Sequence, residues 1–318
     1  MIQNYEYFLT LAETLNISHA AQKLYISHQC LSRYLKNLEN ECGLTLFERK
    51  PSFTLTYAGQ VLLESLRDIQ RIEQNTQHAL RELKTGASGE IRLGVTEGRL
   101  RIFLPALLKS YRADFPDVVV RAIGAPTSQM QVMLQENKLD LALGGYTGKQ
   151  VPGLEYNMVL EEDLYIVVSD NLLRTYFHDS YPACLDTFRA EGVDLKQFEG
   201  IPFCTAGKDF NSRVMLDNYL QKHSIDLNII YEASQPDFLN TLTASDFACS
   251  PCLSMYLPNL QTLNRSNPPE NQLHAFRIKG MNEKNPLFLI SQRGKYFPQY
   301  TKAMIKLIRK QCSALSFD

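Results

Sequence analysis

The first sixty residues carry apolar positions three and four apart, a spacing that predicts short amphipathic helices. Asn16 interrupts the first helix, and Ser18 can cap a second helix by accepting a hydrogen bond from a backbone amide. Ser27 can cap a third helix, which should end near Gly43 because glycine readily takes the left-handed conformation at helix ends. The apolar stripe of the first helix consists of Ile2, Tyr5, Phe8, Leu9, Ala12 and Leu15.

Residues 46–56 read Leu-Phe-Glu-Arg-Lys-Pro-Ser-Phe-Thr-Leu-Thr, which predicts two short strands around a Pro-Ser turn. The order helix, helix, short turn, helix, hairpin is typical of a winged helix-turn-helix domain. We therefore expect an all-α winged helix-turn-helix domain over residues 1–58.

One long helix is expected over residues 58–85, because apolar residues recur there at close to coiled-coil spacing and polar residues fill the other positions. Such a narrow apolar face favours dimerisation, and packing against its own chain is the alternative. Residues 86–89, Gly-Ala-Ser-Gly, read as a hinge, so that 59–88 forms a linker segment. The expected dimerisation residues are Leu62, Leu66, Ile69, Ile72 and Leu83.

From residue 89 the pattern changes to short apolar runs that alternate with amphipathic stretches. Strands are expected near 91–95, 118–122, 139–143 and 164–168, and the last helix near 298–312. This alternation predicts an α/β domain over residues 89–318, with parallel sheets that carry helices on both faces. The whole chain is therefore expected to be multi-domain.

The third helix of the N-terminal domain has one polar face. His28, Gln29, Ser32, Arg33 and Lys36 share it, because 28 and 32, 29 and 33, and 32 and 36 are each four residues apart. In a helix-turn-helix domain this helix enters the major groove, where Gln can pair with adenine and Arg with guanine. A lysine one turn further along suits a phosphate. A plain solvated helix face is the alternative.

The formal net charge of -1 does not by itself indicate a nucleic-acid-binding protein. Charge is unevenly distributed, however, because Arg49 and Lys50 lie in the hairpin and would flank the polar helix face. Arginine and lysine there can neutralise phosphates of the DNA backbone. The expected DNA contacts are Ser27, His28, Gln29, Ser32, Arg33, Lys36, Arg49 and Lys50.

The chain resembles the LysR-type transcriptional regulators almost from end to end. The similarity is carried by residues 18–33 (Ser-His-Ala-Ala-Gln-Lys-Leu-Tyr-Ile-Ser-His-Gln-Cys-Leu-Ser-Arg), by Leu46-Phe47-Glu48-Arg49 and by Gly89-Glu90-Ile91-Arg92-Leu93-Gly94-Val95. Family members usually have Gln-Pro where this chain has His28-Gln29, so base preference cannot be transferred.

The resemblance implies an effector domain of periplasmic-binding-protein type II with a ligand cleft between two subdomains. Subdomain I would comprise about 89–167 and 268–318, and subdomain II about 168–267. Loops at strand ends would line the cleft. Thr127 and Ser128 open a helix whose free N–H groups favour an anion such as a carboxylate, although capping alone could explain them. The expected effector contacts are Thr96, Glu97, Thr127, Ser128, Phe203 and Thr205.

Two segments depart from the family pattern. Residues 244–249 read Ala-Ser-Asp-Phe-Ala-Cys where a glycine-rich turn is common, so this cleft wall can differ. Residues 171–199 are longer than usual and could form a lid, an interface or an added surface element.

Seven cysteines are scattered along the chain, an odd number that does not suggest a disulfide framework. The Cys249-x-x-Cys252 pair has no second ligand pair of the kind that zinc requires, so we expect no metal and no cofactor. Structural thiols are the favoured interpretation. Redox sensing through Cys204, Cys249 or Cys252 is the alternative.

No secretory signal or apolar run of about 20 residues is present, so a cytoplasmic protein without membrane contact is expected. No nucleophile-elbow, phosphate-loop or zinc-protease motif indicates an enzyme. The expected partners are double-stranded promoter DNA with an inverted repeat, a small effector, further copies of the chain as a dimer or tetramer, and RNA polymerase. The rival hypothesis is a small-molecule sensor or solute-binding module whose N-terminal domain binds protein.

Overall fold

The computed structural model describes residues 4–50, 52–85, 88–145, 148, 150–233 and 235–315, without the side chains of residues 78, 81–85 and 236. The chain forms two units, Met1–Lys84 and Thr85–Asp318. The predicted linker helix therefore groups with the N-terminal domain. The predicted hinge residues Gly86 and Ala87 lie outside the described residues.

The first unit is a helical domain with a small two-stranded hairpin. Its elements are α1 (Tyr5–Thr14), α2 (Ile17–Lys23), α3 (His28–Cys42), β1 (Phe47–Glu48), β2 (Thr54–Leu55) and α4 (Tyr57–Thr85). The predicted cap of α2 was wrong: Asn16, not Ser18, accepts a hydrogen bond from the His19 amide, at 3.0 Å. Asn16 directly precedes the first helical residue, and from this position its short side chain can reach the amide of His19, three residues later.

The core of the first unit joins all its helices and the hairpin. Its fully buried side chains include Phe8, Leu31, Leu35, Phe47 and Leu66. The β1–β2 pair is antiparallel, as expected for a hairpin. The sequence pattern therefore predicted this unit element by element.

The predicted apolar seam of α4 is divided between two environments. Leu66 is 1% exposed and lies in the core of its own unit, with Leu62 and Ile69 partly buried against it. Ile72, by contrast, is 60% exposed. The side chain of Leu83 lies outside the described residues. The expectation that the whole seam faces a second copy was thus wrong for Leu66, because the helix-turn-helix core needs this residue.

The second unit contains a five-stranded sheet that defines subdomain I. Its strand order is β4-β3-β5-β12-β6. β12 is antiparallel to both of its neighbours, so the predicted parallel sheet is in fact mixed. The strands are β3 (Gly89–Val95), β4 (Val118–Gly124), β5 (Leu141–Gly145), β6 (Leu154–Glu162) and β12 (Asn285–Gln292). The helices of this part of the chain are α5 (Glu97–Ile102), α6 (Leu104–Asp114), α7 (Thr127–Gln135) and α13 (Gln299–Ser313).

Subdomain II contains a three-stranded antiparallel sheet of order β10-β7-β11 and the parallel pair β8-β9. The strands are β7 (Leu164–Ser169), β8 (Pro202–Ala206), β9 (Asn228–Ala233), β10 (Ser250–Leu253) and β11 (Leu273–Arg277). The helices are α8 (Asp170–Tyr176), α9 (Cys184–Glu191), α10 (Asn211–His223), α11 (Pro236–Ala244) and α12 (Leu257–Ser266).

The chain crosses between the two subdomains at positions different from those predicted. β7 and β11 pair with each other, so both belong to subdomain II. Glu162 of β6 pairs with Asn285 of β12 in subdomain I. The crossings therefore fall at Asp163 and between 278 and 284, not at 167 and 268, because strand pairing and not strand order decides the boundary.

The long segment 171–199 is part of the core of subdomain II. Phe188 of α9 packs against Phe177, Phe198 and Phe276, with ring centroids 5.4, 5.9 and 5.4 Å apart. Phe198 is fully buried. Because this segment contributes its aromatic side chains to the interior, it is more than an added surface element.

Candidate nucleic-acid interface and effector cleft

The polar face of α3 is set by a cap at one end and by core packing along the other side. The Ser27 hydroxyl accepts a hydrogen bond from the Cys30 amide at 3.1 Å, and Gly43 ends the helix at a φ of 66°. Leu31 and Leu35 are fully buried. Their burial turns the opposite face outward, where His28, Gln29, Arg33 and Lys36 are exposed and Ser32 is half-buried.

Four cations lie exposed on α3 and the hairpin: Arg33, Lys36, Arg49 and Lys50. Within the described part of the chain, none of them has a hydrogen-bond or ion-pair partner. Unpaired arginine and lysine side chains of this kind can contact phosphates or base edges without first breaking an internal ion pair.

Two carboxylates of the same unit are already engaged. Glu13 forms an ion pair with Lys23. Glu39 accepts hydrogen bonds from the amides of Leu46 and Phe47, at 2.8 and 3.3 Å, and so attaches the hairpin to α3. The stacked rings of Phe47 and Phe53, 4.7 Å apart, hold the two strands together. The hairpin that carries Arg49 and Lys50 is therefore anchored to α3.

In the second unit, two helix N-termini converge on the end of β5. A side chain at Gly144 would place a Cβ 2.5 Å from the Thr127 hydroxyl of α7, and one at Gly145 would lie 2.9 Å from the Asn211 amide of α10. Both helices begin without a side-chain cap. A helix N-terminus of this kind favours an acceptor such as an anion, and the N-terminus of α7 at Thr127 lies beside the end of β5.

A chain of hydrogen bonds runs along the base of this cleft. Arg99 donates to the Thr96 hydroxyl at 3.1 Å and to the Glu162 carboxylate at 2.5 Å. Asn285 donates to the same carboxylate at 2.6 Å, and Asn211 donates to Asn285 at 2.9 Å. The chain therefore links α5 and the crossing strands of subdomain I to α10 of subdomain II.

The Arg99–Glu162 ion pair is almost completely buried, with side chains 7% and 0% exposed. Burial disfavours the charged guanidinium, but the neighbouring carboxylate outweighs this and raises the pKa of Arg99. Removing either partner would leave an uncompensated buried charge. The Tyr256 ring lies 5.9 Å from the Arg99 guanidinium, and burial raises the pKa of Tyr256 to about 12.

A different ion pair, at the surface, joins the two subdomains. Arg101 of α5 donates to both carboxylate oxygens of Asp237 on α11, at 2.6 and 2.7 Å. Arg101 is more exposed than Asp237, with side chains 44% and 14% exposed. Sequence reasoning missed this pair and also Arg99, Glu162, Asn211 and Asn285, because only the tertiary fold brings such distant positions together.

The predicted effector residues lie in different environments. Thr96 is half-buried against Arg99, Thr127 is buried against Gly144, and Glu97 and Ser128 are exposed. The other two predicted effector-binding residues lie in the interior of subdomain II. Phe203 is fully buried in its core, so its prediction as a cleft residue was wrong. Thr205 is also fully buried and accepts a hydrogen bond from Arg213 at 2.9 Å.

The thiols of Cys204, Cys249 and Cys252 are buried. Burial raises the pKa of Cys204 and of Cys252 to about 12 and raises that of Cys249 well above its usual range. Since the thiolate is the reactive form, this environment favours structural thiols. Among the described residues, no three His, Cys, Asp or Glu side chains converge as a metal site.

Each of the two units matches the model of a known protein family. Residues 2–60 match the bacterial regulatory helix-turn-helix protein, lysR family, and residues 84–313 match the LysR substrate binding domain. The helical unit and the two-subdomain unit thus define a transcriptional regulator with an effector-binding domain. The chain belongs to the LysR family of transcriptional regulators.

Curated relatives of this chain are also named as transcriptional regulators. The HTH-type transcriptional regulator CbbR of Rhodospirillum rubrum is 23% identical over 97% of this chain and 95% of that protein. The "Probable nitrogen assimilation transcriptional activator" of Synechococcus elongatus is 31% identical over 163 residues, which span 51% of this chain and about half (53%) of that relative.

Solved structures with the same fold include two full-length family members. Full-length CbnR, crystallised in complex with its target DNA, is 20% identical, covers 96% of this chain and 97% of its own, and has a TM-score of 0.54. Full-length BenM is 19% identical to this chain and also has a TM-score of 0.54. The match covers 98% of this chain and 96% of the BenM chain. In the described part of this chain, no helix is long and apolar enough to cross a membrane.

Proposed function

We propose that this regulator binds promoter DNA through the polar face of α3 and the α3-anchored hairpin. The observation that carries the proposal is the set of four exposed, unpaired cations, while Glu13 and Glu39 are engaged within the unit. Gln29 and Arg33 would read base edges, and Lys36, Arg49 and Lys50 would contact phosphates. Ser27 has a different role, because its hydroxyl caps the helix.

The functional unit is a homodimer whose two α3 helices occupy half-sites of an inverted repeat, one or more helical turns apart. The exposed part of α4, which includes Ile72 and Leu80, supplies the apolar surface for this contact. A tetramer would place two such pairs on neighbouring sites. RNA polymerase is a further proposed partner, and the cytoplasm, where bacterial DNA lies, is the proposed compartment.

The effector is a small molecule with an anionic group such as a carboxylate, bound between the subdomains. The uncapped N-terminus of α7 at Thr127 and Ser128 supports an anion at this position. The Asn211 side-chain amide lies beside Gly145, the last residue of β5, next to the Gly144 that faces Thr127. Binding would shift the population of subdomain arrangements and so change the affinity or geometry of DNA binding. No catalytic step is proposed.

The direct test of DNA binding is a competition experiment with genomic fragments. The protein should retain a small set of fragments at about 150 mM salt, and its affinity should fall steeply as salt rises. Equal retention of all fragments, or of none, would contradict the proposal and favour an N-terminal domain that binds protein. The effector is tested by a thermal-shift screen of small carboxylates, in which Asn211→Ala should reduce the shift caused by any hit.

A further inference from the structure

The C-terminal helix α13 carries a row of exposed cations along its outer side. Steps of three and four residues place these cations on one helical face. They are Lys302, Lys306, Arg309 and Lys310, which together we call the α13 row. The opposite face holds Met304, Ile308 and Cys312, which are fully buried. Burial of this apolar face fixes the rotation of α13 and so keeps the α13 row in solvent.

The α13 row lies in a stretch of the chain that has no acidic residues. Residues 285–317 contain no Asp or Glu, although the whole chain contains 34 of them and has a formal net charge of -1. Exposed carboxylates lie on α6 and β6, which pack against α13: Asp114, Glu155 and Glu161. Within the described part of the chain, neither these three nor any other carboxylate forms an ion pair with the α13 row. Its positive charge is therefore not neutralised by the protein itself.

The dipole of α13 explains only part of this row. A cation near the C-terminus of a helix is stabilised by the dipole, and Lys310 lies in the last turn. Lys302 lies in the first turn, where the dipole disfavours a cation. Its ammonium lies over the Tyr296 ring, 5.4 Å from the centroid, and this contact orients the side chain without neutralising its charge. A row that extends from the first turn to the last therefore fits an external anion.

The surroundings of the α13 row favour a polyanion over a protein partner. Protein interfaces usually have apolar or aromatic side chains at their centre and are depleted in lysine. Among the described residues, α13 exposes no large apolar side chain, and its half-buried Ile305 and Leu307 pack against the core of subdomain I. For the same reason the helix has no apolar face to insert into a membrane. Lysine and arginine alone suit DNA, which binds such side chains through the release of its counterions.

We propose that the α13 row binds phosphates of the DNA backbone outside the half-sites that α3 reads. This contact rests on the proposed DNA-binding function, because the regulator then already holds a long polyanion. At a rise of about 1.5 Å per residue, the row extends over about 12 Å of helix. Each strand of a duplex carries one phosphate per ~3.4 Å of axis, so the row spans about three phosphates. Such contacts add affinity that does not depend on base sequence.

The test compares two triple variants that remove the same amount of positive charge from exposed positions of the second unit. The α13 variant is Lys302→Gln/Lys306→Gln/Lys310→Gln. The control variant, in subdomain II, is Lys196→Gln/Lys208→Gln/Lys222→Gln. Because glutamine has nearly the helix propensity of lysine and all six positions are exposed, both variants should unfold at the wild-type temperature.

Fluorescence anisotropy measures binding to a random-sequence duplex of about 60 base pairs over a range of salt concentrations. Each lost phosphate contact makes the slope of log affinity against log salt shallower by about 0.9, so the α13 variant should lose roughly two to three per protomer. Its affinity at about 100 mM salt should fall by roughly tenfold or more, whereas the control variant should keep the wild-type slope. As a second readout, the duplex should protect the three α13 lysines of the wild-type protein from acetylation, and leave the three control lysines reactive.

The outcomes separate the α13 contact from the proposed function. A wild-type slope in the α13 variant, or an equal loss in both triple variants, overturns the α13 contact alone. So does an α13 variant that binds DNA normally but no longer binds polyglutamate, which would assign the row to an acidic protein. An Arg33→Ala/Lys36→Ala variant that binds the duplex as wild type does overturns the proposed function, and with it the contact that rests on it. Loss of slope in this variant and in the α13 variant, but not in the control, supports both.

Discussion

At the residue scale, Arg33 combines the features expected of a base-reading side chain. It is exposed in the first half of α3, and within the described part of the chain it has no ion-pair partner. Leu31 and Leu35, on either side of it in sequence, are fully buried and fix the rotation of the helix. The guanidinium is therefore held toward solvent on the same face as Gln29, four residues earlier.

Replacing Arg33 with alanine should weaken binding to the preferred site by about 1–3 kcal/mol, because a paired guanidinium–guanine or guanidinium–phosphate contact is lost. Anisotropy titrations with the best fragment from the genomic selection measure the effect. Lys222→Ala, on an exposed position of the second unit, should bind as wild type does. If the Arg33→Ala variant binds DNA within twofold of the wild-type affinity, Arg33 is not part of the DNA interface.

Thiol exposure gives a second test at this scale. Cys30 is exposed, whereas Cys204, Cys249 and Cys252 are buried with raised pKa values. A coloured disulfide reagent should react rapidly with Cys30 in the native protein and reach the buried three only after unfolding. Cys30→Ser should lose the fastest phase. Rapid reaction of Cys204 or Cys249 in the native protein would instead support the redox-sensing hypothesis.

At the scale of elements, α4 serves two roles along one apolar face. Leu66 is 1% exposed in the core of its own unit, and Ile72, less than two turns later, is 60% exposed. A periodic pattern cannot distinguish these roles, because both need an apolar residue at the same helical spacing. Only the position of α1, α3 and the hairpin relative to α4 decides which part of the face is already covered.

The two roles predict opposite effects of matched substitutions. Leu66→Ala should lower the free energy of unfolding of the first unit by roughly 2–5 kcal/mol, because it leaves a cavity in a packed core. Ile72→Glu should leave that stability nearly unchanged and dissociate the dimer. Calorimetry and sedimentation velocity measure the two effects. An Ile72→Glu protein that keeps the mass of the wild type would exclude this surface from the dimer contact.

Element boundaries show where sequence reasoning works. Ser27 and Gly43 are recognisable because a cap and a left-handed terminus are local features, and both lie where the pattern predicted them. Phe203 was misassigned because an apolar residue at a strand end looks the same in a cleft as in a core. Glu162 and Asn285 were missed because their pairing spans 123 residues of sequence. Local chemistry was predictable to within about two residues, as the move of the α2 cap from Ser18 to Asn16 shows, whereas the cleft depends on long-range contacts.

At the scale of the whole molecule, two groups of buried ion pairs stabilise subdomain I of the second unit. Arg99–Glu162 lies where the chain crosses between subdomains, and Asp140 accepts from Arg92 at 2.8 Å and contacts Lys295 at 2.9 Å within subdomain I. Burial alone would raise the pKa of Asp140, but the bonds and charges of Arg92 and Lys295 outweigh it and lower this pKa to about 2.

This pKa implies a specific loss of stability in acid. A carboxylate whose folded pKa lies below its unfolded value stabilises the fold above the unfolded pKa, near 3.8, and loses that contribution as the pH falls toward 2. Asp140→Asn should cost roughly 2 kcal/mol or more at pH 7, and the difference from wild type should shrink between pH 4 and 2. Urea unfolding at several pH values measures it. A difference that does not change with pH would contradict the assigned ion cluster.

The most direct test of the central claim, that two copies of α3 read an inverted repeat, is sequencing of the genomic DNA that the purified regulator retains. The retained fragments should share an inverted repeat, with half-site centres separated by one or more turns of about 10.5 base pairs. The regulator should bind this repeat at least a thousandfold more tightly than shuffled duplexes, and Arg33→Ala should weaken that preference. Fragments without a common repeat, or a repeat whose affinity Arg33→Ala leaves unchanged, would contradict it.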